Sequence, residues 1–177
     1  MSSFFLSLFI LLLIFSGVSV VFWSLKNGIT PMPTSAKTKQ MILAHLPPDI
    51  EGPIYELGSG WGTLIIPIAH HYPFHPIIGF ETSLLPFWFS KGFSHLLNLP
   101  NVTLRRQDFF NQPLQKTGLI ICYLYPQAMY KLKHKFESEL NLGTWIISNT
   151  FAIPGWTPSQ IIPVNDLYHT KIYMYRR

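Results

Sequence analysis

The chain has 177 residues, 48% of them hydrophobic and only 12% charged, with a formal net charge of +5. That length supports one domain with a sizeable core and hardly two, and the charged fraction is well under the ~25% usual for soluble proteins. The basic residues are scattered, with Arg105, Arg106, Lys131, Lys133 and Lys135 the nearest to clusters, which speaks against a nucleic-acid partner; the last three read as a solvated helix face.

Residues 4 to 23, FFLSLFILLLIFSGVSVVFW, carry no charge and match the ~20 residues needed to cross the hydrocarbon of a bilayer. A positive leading region, a short apolar core and an AxA-like cleavage site, the marks of a removable signal, are not evident. The segment therefore predicts a retained transmembrane anchor in the lipid bilayer. Lys26, Lys37 and Lys39 follow it and no Lys or Arg precedes it, so the positive-inside bias predicts a single-pass membrane protein with its C-terminal bulk on the cytoplasmic side.

Residues 24 to 46 form a polar, proline-punctuated connector, in which Thr34 or Ser35 caps a short helix ending near His45 or Leu46 before Pro47 and Pro48 stop it. From 47 to 177, apolar runs of strand length alternate with helix-length segments, the pattern of an α/β fold built from βαβ units around a parallel sheet. Strands are predicted at Pro53 to Leu57, Ile77 to Glu81, Val102 to Arg106, Gly118 to Tyr123 and Thr144 to Ser148. Helices are predicted at Thr63 to His71, Leu84 to Leu97 and Gln127 to Leu140. After residue 148 only the strand-like IIPV and KIYMY stand out, which predicts a sheet finishing in an antiparallel hairpin. Cys122, alone and set in GLIICYLY, reads as a core thiol.

The first strand runs into IYELGSGWG, a glycine-rich turn that opens a helix and lets a ligand approach the backbone closely. Gly58, Gly60 and Gly62 give GxGxG rather than the GxGxxG of a dinucleotide site, and no Gly-Lys-Ser or Gly-Lys-Thr follows as in a Walker loop. Glu56, two residues before the first glycine, repels a pyrophosphate and suits a cation. S-adenosylmethionine, with its sulfonium and its α-ammonium, meets that demand. Glu81 ends the second strand some ~20 residues beyond the turn, where a carboxylate accepts hydrogen bonds from ribose hydroxyls. Asp108 follows the third strand, placed to meet an adenine amino group, with Phe109 or Phe110 to cover the ring. Ligands of open α/β sheets sit outside such strand ends.

Read in order, YELGSGWG, GFE and DFF resemble the class I S-adenosylmethionine-dependent methyltransferases, whose fold is a Rossmann-like sheet with helices on both faces. More narrowly, PMPTSAKTKQMILAHL, LYPQAMYKLKHKFESEL and TWIISNTFAIPGWTP resemble the small membrane-anchored protein-lysine methyltransferases of mitochondria and their bacterial relatives. The mitochondrial enzymes methylate lysines of the ADP/ATP carrier and of the ATP synthase c subunit. The resemblance implies cofactor contacts at Glu56, Gly58, Gly60, Glu81 and Asp108, extended along the turn to Ser59 and Gly62. It implies that Pro33, Thr34 and Ser35 fold over the cofactor and that Tyr125 and Pro126 flank the transferred methyl group. The chain departs from the family at Trp61, where an acidic residue is usual, and at Thr82 and Ser83, which replace Asn-Pro.

A lysine acceptor must lose its proton, which a desolvated aromatic channel favours; Tyr125, Phe151 and Trp156 are the candidates for lining it. LYP lacks the side-chain amide or carboxylate that holds a nucleobase amine, which speaks against base methylation. His70, His71 and His75 lack the spacing and the partners of a metal site, so no metal is expected. The Asn101-Val102-Thr103 sequon is predicted to lie in a core strand on the cytoplasmic side. The leading expectation is a methyltransferase acting on a lysine of an integral membrane protein. Methylation of a lipid or small hydrophobic molecule, or a non-catalytic module that binds through the cofactor fold, are the alternatives.

Overall fold

The computed structural model describes residues 2–27 and 32–177. Positions 28–31 of the connector lie outside the described residues.

The first helix, α1 (Ser2–Asn27), includes a stretch from Phe4 to Ser24 long and apolar enough to cross a membrane, nearly all of it exposed. A second helix, α2 (Ala36–Ala44), starts at Ser35, whose hydroxyl accepts a hydrogen bond from the Thr38 amide. Ser35, not Thr34, is the cap.

The sheet has seven strands: β1 (Ile54–Leu57), β2 (Ile77–Phe80), β3 (Val102–Arg105), β4 (Leu119–Cys122), β5 (Trp145–Asn149), β6 (Gln160–Pro163) and β7 (Lys171–Arg176). Their spatial order is β3-β2-β1-β4-β5-β7-β6, with β1 to β5 parallel and β7 antiparallel to both β5 and β6. The expected parallel sheet closing in a hairpin is therefore present. The strand order reverses at β1, which pairs with β2 on one side and β4 on the other, opening a crevice beyond their carboxyl ends.

Between the strands run α3 (Ile65–His71), α4 (Leu84–Leu96) and α5 (Pro126–Glu139). The start of α3 falls two residues later than its spacing predicts because the glycine turn is longer. Pro67, in its first turn, needs no amide partner there. Pro126 opens α5, a position that suits its fixed φ and missing amide.

Side chains of α2 and α3 pack with Ile54, Ile77, Leu119 and Ile121 on one face of the sheet. On the other, Met129, Leu132 and Phe136 of α5 pack with Leu57, Ile120, Cys122 and Ile146. Alternate residues of β1 and β4 thus point to opposite cores, which is why β4 is apolar throughout and β1 is apolar at every position but Glu56. Cys122 is buried, and that burial pushes its thiol up to about 12.

One strand sits elsewhere than expected in the layer. β3 is an edge strand with every second residue exposed, not a core strand. The Asn101 side chain before it donates to the carbonyls of Ala69 and Tyr72, at 3.1 and 3.0 Å, and so fastens the end of α3 to the sheet.

Candidate active site

The turn after β1 is built by φ angles of +81°, +51° and +78° at Gly58, Gly60 and Gly62. The amides of Gly58 and Ser59 both donate to the Phe80 carbonyl at 2.9 Å, which pins the turn to the end of β2. Gly62 has a steric reason as well as a conformational one: a Cβ there would lie 2.9 Å from the Ser90 Cβ of α4. At Gly60 nothing lies within 4 Å of the same added atom, because it would project into open space.

That space is a cavity of about 270 Å³ at the crevice of the sheet. Its wall takes Glu56, Gly58, Ser59, Gly60 and Trp61 from the turn region and Glu81 and Ser83 from the end of β2. It takes Asp108, Phe109 and Phe110 from beyond β3 and Tyr123 and Tyr125 from beyond β4. Met32, Pro33 and Thr34 close it from the connector, and Ala128 and Lys131 reach it from α5.

The three acids stand in different states. Glu81 is buried, and its two oxygens accept from the Gly60 amide at 2.8 Å and the Ser83 amide at 2.7 Å. It braces the turn against the start of α4 while keeping the remaining lone pairs for a ligand. Glu56 is buried too, but its Oε2 has no hydrogen-bond partner, and neither has the Ser59 hydroxyl beside it in the turn. Burial first, and the neighbouring Glu81 charge second, push the Glu56 carboxyl well above the usual carboxylate range, against a hydrogen bond from the Ile65 amide. Asp108 is exposed at the rim and caps a short 3₁₀ turn through the Phe110 amide at 2.9 Å. The Phe109 and Phe110 rings lie side by side, with centroids 4.6 Å apart.

An unpaired carboxyl oxygen inside a protein is costly unless a ligand satisfies it. The donor set that would satisfy Glu56 is cationic or hydrogen-bearing. A cofactor with a charged amine beside a bare backbone turn, and hydroxyls for Glu81, fits these residues.

Likeness to known families decides the class. The ANTKMT methyltransferase domain matches residues 56–160, more than half of the chain, including the turn and all three acids.

The chain belongs to the ANTKMT methyltransferase family.

It is accordingly an S-adenosylmethionine-dependent methyltransferase with a mixed α/β fold. It is similar to a protein-lysine N-methyltransferase of Saccharolobus islandicus, 26% identical over 152 residues, covering 81% of this chain and 91% of that protein. The mouse adenine nucleotide translocase lysine N-methyltransferase is 26% identical over 114 residues, 63% of this chain and 48% of its own length. A mouse lysine N-methyltransferase named for the ATP synthase c subunit is 27% identical over 108 residues, 60% of this chain and 43% of its own length. The methyltransferase thus spans nearly all of the Saccharolobus islandicus relative but less than half of the two mouse proteins. Among solved structures, a Salinibacter ruber RNA methyltransferase in complex with S-adenosyl-L-homocysteine superimposes with a TM-score of 0.70 at 22% identity, covering 82% of this chain and 93% of the other. At that identity the likeness concerns the fold alone.

Several residues singled out in the sequence do not line the cavity. Trp156 packs instead outside α5, near Phe136 and Tyr175, with its indole donating to Glu137 at 3.2 Å and Arg177 5.6 Å above the ring. Trp156 is thus in packing contact with the core and outside the lining of the cavity. Phe151 packs against the same core, and its carbonyl accepts a hydrogen bond from the Ser148 hydroxyl. Pro126 opens α5 beside Tyr125 without lining the cavity, and Gly62 backs onto Ser90. Lys131 is exposed, as expected of a solvated helix face, and it also lines the cavity, a placement not foreseen from the sequence. It stands three residues, about one turn, after Ala128, another lining residue, and that spacing is the signal that could have found it.

Proposed function

We propose that this methyltransferase acts on a lysine side chain of a membrane protein, at the bilayer to which α1 anchors it. The observation that carries the reading is the unpaired, buried Glu56 oxygen beside the bare turn at the strand-order reversal, in a chain whose relatives are named for lysine methylation.

In this reading Glu56 takes the cofactor's amine, the Gly58, Ser59 and Gly60 backbone approaches its amino-acid part, and Glu81 receives the ribose hydroxyls. Asp108 meets the adenine amine, and the Phe109 and Phe110 pair covers the ring. Thr34, left free of capping duty by Ser35, closes the cavity from the connector side. When bound, the cofactor supplies a methyl group on an already activated carbon, so the protein's task is alignment and electrostatics rather than acid-base chemistry. Tyr123 and Tyr125 offer an aromatic approach on the β4 side. Their rings lower the local polarity, which favours the neutral amine that a lysine must present, while Pro126 fixes the start of α5 beneath them.

The length and composition of Phe4 to Ser24 support the anchor, and the lysines that follow it support a catalytic domain on the cytoplasmic side. Tethering raises the effective concentration of an acceptor in the same membrane. The test is to incubate the full chain with radiolabelled S-adenosylmethionine and host membranes. Label is expected on a lysine of a membrane-protein band. Label confined to the lipid extract overturns the proposal in favour of a lipid acceptor.

A further inference from the structure

The helix α4 reads LLPFWFSKGFSHL, and the residues it leaves outside are large and apolar: Trp88 is 58% exposed, Phe89 55%, Phe93 42% and Leu96 77%. Phe89, Phe93 and Leu96 follow the i, i+4, i+7 spacing of one helical face, with Trp88 beside them, so they form one strip. The Phe89 and Phe93 rings stack with centroids 6.0 Å apart. An exposed aromatic strip of this kind marks an interaction surface.

Its position relative to α1 says which. The helix that carries the strip is in contact with the apolar helix α1. The half-buried residues of α1 include Ser16, Ser19, Val20 and Trp23, again one helical face, and all four lie inside the apolar Phe4 to Ser24 stretch. If that stretch occupies hydrocarbon, its end at Trp23 and Ser24 lies at the boundary of one leaflet, and α4, in contact with α1, is held close to that leaflet. The strip also has the composition of that boundary. Tryptophan is enriched at membrane interfaces, and the Lys91 ammonium lies 5.3 Å from the centroid of the Trp88 ring and 5.7 Å from that of Phe87, an apolar stem with a charged head able to reach phosphates.

We infer that the α4 strip of Trp88, Phe89, Phe93 and Leu96 lies in the headgroup boundary of the leaflet that holds the C-terminal end of α1, as a second membrane contact. It rests on the reading of α1 as a bilayer anchor. The consequence for the enzyme is orientation. Trp61 lines the cavity and meets Phe89 edge to face, with centroids 5.6 Å apart, so the rim of the cavity adjoins the strip. A single helix leaves a domain free to swivel, whereas a helix and a strip fix its rim near the headgroups, where an acceptor at the membrane surface is met.

The experiment uses the full chain in nanodiscs whose phosphatidylcholine carries bromine near the glycerol end of its acyl chains, a short-range quencher of tryptophan fluorescence. Wild type, Trp23→Phe and Trp88→Phe are compared, and a nitroxide is placed on Leu96→Cys, since Cys122 is buried and does not compete for the label. The expected result is a smaller quenched fraction in both Trp variants than in wild type, with the nitroxide more accessible to oxygen than to a polar nickel chelate. If Trp23→Phe loses quenching while Trp88→Phe matches wild type and the nitroxide reads as aqueous, the anchor stands and the strip's docking is refuted. If bromination quenches no tryptophan at all, the anchor reading fails and this inference fails with it.

Discussion

The carboxylate of Glu81 accepts the amide hydrogen of Gly60 at 2.8 Å, and its other oxygen accepts that of Ser83 at 2.7 Å. The glycine turn after β1 and the entry to α4 are thereby joined through one side chain from the end of β2. The site's shape is set by a residue that is also a proposed ligand of the cofactor's ribose.

Replacing Glu81 should therefore damage binding in two ways. Glu81→Ala leaves two amides without acceptors, each costing about 1–3 kcal/mol, and removes the ribose contact. Calorimetry with S-adenosylmethionine should show affinity reduced by at least tenfold, and the melting temperature should fall by several degrees, at about 2–4 °C per kcal/mol for a domain of this size. Unchanged affinity would show that the ribose is held elsewhere.

Gly60 and Gly62 are both in left-handed backbone but should fail differently. At Gly62 an alanine Cβ would meet Ser90 at 2.9 Å, so Gly62→Ala pushes the turn off α4 and should cost about 1–3 kcal/mol of stability. At Gly60 the added atoms enter the cavity, so Gly60→Val should leave the protein folded, with some strain from φ of +51°, and abolish cofactor binding. Thermal melts paired with calorimetry separate the two: a large melting loss for Gly62→Ala, a lost binding isotherm for Gly60→Val.

The site was legible where chain order and strand alternation fix position. Glu56, Glu81 and Asp108 stand at the ends of three successive parallel strands, and a parallel sheet brings such ends together whatever the loops do. Lys131 was harder, because helical spacing gives a face but not what that face meets at each turn. Trp156 was less legible, because a residue soon after a strand's carboxyl end is near the crevice by sequence, yet its ring packs beside Phe136 and Tyr175 and not in the lining of the cavity. The strip on α4 was hidden for a related reason. A helix apolar almost all round gives no periodic sign of which rings stay outside, and only the packed structure shows Trp88 and Phe89 exposed, with Phe89 against Trp61 of the cavity wall.

Trp156 accordingly carries a stability prediction. Its ring rests between Phe136 and Tyr175 and its indole on Glu137, so Trp156→Ala removes packing and one exposed hydrogen bond. A loss of about 2 kcal/mol is expected for this half-buried ring, with cofactor affinity within a factor of two of wild type. A strong effect on methyl transfer at unchanged stability would restore a channel role.

The Glu56 carboxyl gives the enzyme a pH dependence whose sign is fixed by its environment. Its folded pKa is raised above the ordinary value of 4.5, chiefly by burial, so the folded, cofactor-free protein holds a proton that the unfolded chain releases. Stability from this group is complete below that ordinary value and is lost as pH rises through the folded pKa. In the cofactor-free protein Glu56→Gln should then raise the melting temperature at neutral pH relative to wild type, and the difference should vanish near pH 4. Binding runs the other way. A cationic amine beside Glu56 favours the ionised carboxyl, so affinity for S-adenosylmethionine should increase with pH above 4.5 and binding should release a proton. Calorimetry in two buffers of different ionisation enthalpy measures that proton directly. Wild type should show release across this window and Glu56→Gln none, with weaker affinity; equal proton release in both would place the amine away from Glu56.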